Sequence, residues 1–66
     1  MYPRSITESL RLAIEKQDAK RLGSTIDQLR FTFKLNYMQC YHLAHKLTGI
    51  SADDFEQLLY ESETRH

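Results

Sequence analysis

The stretch LRFTFKLNY, Leu29 to Tyr37, decides the fold, because it fits two incompatible structures. Apolar and polar residues alternate along it, as they would in a half-buried strand. The same residues also belong to a longer series: Leu22, Ile26, Leu29, Phe33, Tyr37, Cys40, Ala44 and Leu47 are spaced 4, 3, 4, 4, 3, 4 and 3. At about 100° per residue, that spacing keeps one apolar stripe on one side of a helix. The strand accounts for 9 residues and the helix for 26. A single strand with no pairing partner elsewhere would also leave its backbone N–H and C=O groups unsatisfied. The helix is the stronger reading, either continuous or broken at Asn36, whose side chain could cap a separate third helix.

Working upstream, Ser5-Ile6-Thr7-Glu8 has the pattern of a capping box and predicts a helix over 5–17,. Ile6, Leu10, Ala13 and Ile14 fall on one side of it, and Pro3 lies harmlessly ahead. Asp18 is placed to cap the next helix, and the short Lys16-Gln17-Asp18 link implies a helical hairpin,. Downstream, Gly49 suits the left-handed position that ends a helix, with Ile50 packing back on the last turn,. Ser51 then caps a final helix over 51–62, Ile50 and Phe55 form a hydrophobic staple, and residues 63–66 are expected to fray,. Asp53, Asp54 and Glu56 sit in its first turns, where the helix dipole favours negative charge, and Phe55, Leu58 and Leu59 form its apolar side,.

These elements make an all-α domain, 1–66. It is a small bundle of three or four helices, with the central segment over 19–47 either one long helix or two collinear ones divided near 36. A chain of 66 residues buries a small share of its surface, and one core of this size seldom supplies more than about 3–5 kcal/mol. The single cysteine, Cys40, cannot close an internal disulfide, and no repeated Cys/His pairs suggest structural zinc,. Self-association into a homodimer is the expected stabiliser. Nothing reads as a signal peptide, and no apolar run approaches the roughly 20 residues of a membrane span. No membrane partner is expected, and the expected location is cytoplasmic.

The net charge is zero, yet the signs are not evenly spread. Residues 1–34 hold seven Lys/Arg against four Asp/Glu, and residues 35–66 hold two against five. Such a reversal suits a head-to-tail or intramolecular charge match better than a strongly basic nucleic-acid footprint.

Leu35 to Ser51 resembles half of a DNA-binding helix-turn-helix, with a small Ala44 and a Gly49 turn leading into another helix. The resemblance departs from that motif in two places. The five-residue step from Ala44 to Gly49 is longer than the common pattern. The helix after the turn, SADDFEQLLYESE, has five carboxylates and no base, where a recognition helix needs donors for phosphates and base edges. The alternative nucleic-acid surface is the basic first half, through Arg11, Lys20, Arg21, Arg30 and Lys34 together with Arg4 and Lys16,. Against it, Glu8, Glu15 and Asp27 are interspersed at helical pairing distances,.

Cys40, His42 and His45 cluster within six residues, but on a helix the two histidines share a face and the cysteine lies with the apolar stripe. Two ligands do not make a tetrahedral zinc site, so no metal is assigned. The same geometry separates a Cys–His nucleophile pair, and there is no Gly-rich phosphate loop or nucleophile elbow. No cofactor is implied, and the chain does not read as an enzyme.

One feature exceeds what a monomer needs. Opposite the core stripe lie Phe31, Leu35, Met38, His42 and His45, spaced 4, 3, 4 and 3, with Tyr41 at the edge. A helix apolar on both sides is covered on both sides, and the two flanking helices are short. Aromatic and methionine side chains are typical of interface cores. The sequence therefore points to a non-enzymatic protein-interaction module, an adaptor or regulator. It would use this aromatic and methionine-rich face and the acidic last helix to bind itself and another protein.

Overall fold

The computed structural model describes residues 2–64, and no strand occurs among them. Four helices follow one another: α1 Arg4–Glu15, α2 Ala19–Thr32, α3 Tyr37–Thr48 and α4 Ala52–Thr64. LRFTFKLNY is helix, then turn, then the start of another helix. The bundle is all-α, but the central segment is not one long helix. It is two, separated by Phe33–Asn36.

The reason for the break is local. Phe33 N–H still donates to the Leu29 carbonyl (3.1 Å), and Leu35 N–H reaches back to the same oxygen (3.3 Å). Between them Lys34 takes a left-handed φ of 61°, the conformation that closes a helix by turning the chain away. Asn36 is extended and starts α3: its Oδ1 accepts from Gln39 N–H (2.8 Å), while Gln39 Oε1 accepts from Asn36 N–H (2.9 Å). Both donors would otherwise be orphaned at a helix start. A capping box therefore exists in this chain, here rather than at Ser5.

At the N-terminus the expected box does not form. Pro3 is the cap residue, with φ −57°, and its carbonyl accepts from Ile6 (3.1 Å) and Thr7 (3.2 Å). A proline with that φ is already set for a helix start, so Ser5 lies inside the first turn. Glu8 is taken by Arg11 instead (2.8 Å).

The other punctuation matches its residues. α1 ends as Gln17 turns left-handed at φ 52°, with Asp18 N–H donating to the Ala13 carbonyl at 2.8 Å. Asp18 Oδ1 then caps α2 by accepting from Arg21 N–H (3.1 Å). Gly49 closes α3 at φ 76°, and Ser51 Oγ accepts from Asp54 N–H (3.2 Å) to cap α4. Glu63 and Thr64, expected to fray, continue α4. The rest of the expected frayed tail, Arg65 and His66, lies outside the described residues.

α1 packs on α2 and on α3, and α4 packs on α2. The core is drawn from all four: Ile6, Leu10 and Ala13; Ala19, Leu22, Ile26 and Leu29; Cys40 and Ala44; Phe55 and Leu58. Burying a large apolar side chain of this kind contributes about 1.5–3 kcal/mol. Phe55 is fully buried, and its ring meets those of Tyr41 (5.5 Å) and Tyr37 (5.8 Å). Tyr2 stands edge-on to Phe33 at 5.4 Å, joining the chain start to the α2–α3 connection. Thr25 is the buried polar residue of the core. Its hydroxyl donates to the Arg21 carbonyl (2.8 Å) and accepts from Ser9 Oγ (3.0 Å), so its burial leaves no orphan,. Among the described residues, no helix is long and apolar enough to cross a membrane.

Candidate interaction surface

The break at Phe33–Asn36 divides the second apolar face. Phe31 is near the end of α2 and is 76% exposed. Leu35 falls in the connection, partly buried, and packs against the edge of the core. Met38, on the first turn of α3, is 60% exposed. Tyr41 is half-buried, with its ring 5.5 Å from Phe55, 5.6 Å from His42 and 5.9 Å from His45. His42 and His45 are exposed. The six residues thus do not form one continuous line on one rod. Four of them share α3, Phe31 belongs to α2, and Leu35 lies partly buried in the connection between the two helices.

His45 has a structural part that its spacing did not suggest. Its Nδ1 lies 3.0 Å from the Ile50 carbonyl oxygen. A carbonyl can only accept, so Nδ1 donates and the ring ties the end of α3 to the turn before α4. Cys40 lies fully buried away from both histidines, and burial pushes its thiol above the ordinary range,. Such a thiol packs as a small apolar side chain. Among the described residues, no group of three or more His, Cys, Asp or Glu is placed to hold a metal ion.

The five basic residues of the alternative surface are not equivalent. Arg11 is held by Glu8 and Glu15 at 2.8 Å each, and Arg21 lies 3.7 Å from Asp18. Lys20, Arg30 and Lys34 form no ion pair among the described residues and are exposed. Arg11's two carboxylate partners already occupy the donors that a phosphate would need.

Periodicity along one helix could not reveal a surface made by two. α2 and α4 meet closely where Gly23 faces Ser62: a Cβ on Gly23 would sit 3.1 Å from the Ser62 Cβ. Beside this contact runs an open groove of about 570 Å³. Lys20, Asp27 and Arg30 line its α2 side, Leu59 and Glu63 its α4 side, and Tyr37 one end. The Tyr37 hydroxyl is held above its usual pKa by burial first, then by the charges of Glu56 and Glu63. Tyr60, on α4, is 63% exposed. Its position off the Phe55–Leu58–Leu59 side was the available signal in the sequence.

No protein-family model, curated protein or solved structure matches the chain.

Proposed function

We propose that this chain is a small non-enzymatic interaction module, an adaptor or regulator that binds protein surfaces and forms a homodimer. The observation that carries the reading is the exposure of Phe31 (76%) and Met38 (60%) on either side of the α2–α3 connection. Large apolar side chains left outside a small core are the residues that anchor interfaces when a partner covers them. The acidic α4 adds a charged surface that would steer a partner rather than hold it.

Affinity capture from the native extract tests this directly. Wild type is expected to retain a defined partner that the Phe31→Ser/Met38→Ser double variant loses by more than about tenfold, with an unchanged far-UV circular dichroism spectrum. Absence of any specific partner, together with no self-association, contradicts the reading. The nucleic-acid alternative rests on Lys20, Arg30 and Lys34, since Arg11 and Arg21 are engaged. Retention on heparin that falls steeply with salt would favour it.

A further inference from the structure

We infer that the groove between α2 and α4 seats a second copy of this chain, related by a two-fold axis so that α2 of each copy lies on α4 of the other. This rests on the interaction-module reading and specifies the partner and the surface.

The argument begins with charge. Residues 19–34 carry four Lys/Arg and one Asp, whereas α4 carries five Asp/Glu and no base. The two helices are neighbours in one molecule, yet no ion pair joins them among the described residues. The pairs present lie within α1 and at the start of α2. Of these charges, Lys20 and Arg30 on α2 and Glu63 on α4 line the groove together with Asp27, whereas Asp54 and Glu61 lie on the side of α4 toward α1 and Arg21 is beside Asp18.

The outer ridges have matching form. On α4, Asp53, Glu56, Tyr60 and Glu63 follow one another at spacings of 3, 4 and 3, all exposed. On α2, Lys20, Ser24, Asp27 and Phe31 run at 4, 3 and 4 and are likewise exposed, and Lys34 continues the series just beyond the helix. Each ridge thus has an exposed aromatic: acid flanks Tyr60 on both sides, whereas Phe31 lies between Asp27 and Lys34 on a helix that is basic on balance.

A ligand of one sign would be attracted by one wall and repelled by the other. A second copy, turned by a half rotation, offers acid to base and base to acid at once. The contact is isologous and closes at two chains. α2, with 14 residues, is about 21 Å long. Two such helix faces give an area toward the low end of stable interfaces, which bury roughly 800 Å² per partner. The dimer is accordingly expected to be reversible and sensitive to salt.

The test uses two charge-reversed variants, Glu56→Lys/Glu63→Lys and Lys20→Glu/Arg30→Glu, studied by sedimentation equilibrium. Wild type is expected to dimerise in the micromolar range at low salt and to weaken at least about tenfold at high salt. Each variant alone sets like charge against like at the substituted positions of both contacts and is expected to dissociate at least about tenfold more readily. An equimolar mixture of the two restores opposite signs at both contacts and is expected to form a heterodimer about as tightly as wild type. A monomeric wild type, an undiminished homodimer of either variant, or a mixture that stays monomeric overturns the inference. Should a variant lose its helical spectrum, Tyr60→Ser replaces it and must weaken the dimer. If Met38→Glu dissolves the dimer while the charge-reversed variants leave it intact, the interface lies on α3: this inference fails while the interaction-module reading stands.

Discussion

Glu8 and Arg11 show how one residue's surroundings set its chemistry. Arg11 donates to both oxygens of Glu8, at 3.1 and 2.8 Å. That hydrogen bonding, with Arg11's charge beside it, holds the carboxyl below its ordinary value of 4.5. The group is depressed in the folded chain, so its contribution is present above about pH 4.5 and is lost as pH falls through the lower folded value. Both partners are exposed, so solvent screens the effect. Urea unfolding midpoints measured from pH 6 down to pH 2.5 should fall less steeply in Arg11→Met than in wild type. Equal slopes would remove the pair from the acid response. Gly49 shows what a single residue can make plain in a sequence. Its φ of 76° is the left-handed conformation that its place after an amphipathic run implied. Lys34 and Gln17 take the same conformation without glycine, and for that reason neither turn could be located to the residue beforehand.

At the scale of elements, caps decide where helices begin, and two patterns of similar quality had opposite outcomes. Ser5 to Glu8 fitted a capping box, but Pro3 had already started the helix and Arg11 held Glu8. Asn36 to Gln39 formed the box with both bonds present. The helical spacing from Leu22 to Leu47 identified the right buried residues, since Leu22, Ile26, Leu29, Cys40 and Ala44 all lie in the core. It could not distinguish one helix from two, because a turn of four residues preserves the register. The same turn left Leu35 partly buried and Tyr37 37% exposed. Asn36→Ala removes the side-chain acceptor at the start of α3 and should lower stability by about 1 kcal/mol in chemical denaturation. An unchanged midpoint would mean that packing alone holds the break.

At the scale of the molecule, four short helices enclose one core and leave their opposite charges on adjacent outer faces. The all-α bundle, its first and last helices and most of the buried residues were legible from spacing and caps, whereas the division of the middle segment into α2 and α3 was left open. The α2–α4 groove was not, because it depends on which helices become neighbours, and that is settled by packing between distant residues such as Gly23 and Ser62. Phe31, Met38 and Tyr60 remain outside the core that this chain builds, and their burial would require a partner. The most direct measurement is sedimentation equilibrium of the wild-type chain at low salt, from a few to several hundred micromolar. An average mass that climbs with concentration from one chain toward two is the predicted result. A constant 7.8 kDa across the whole range would contradict the proposed pairing.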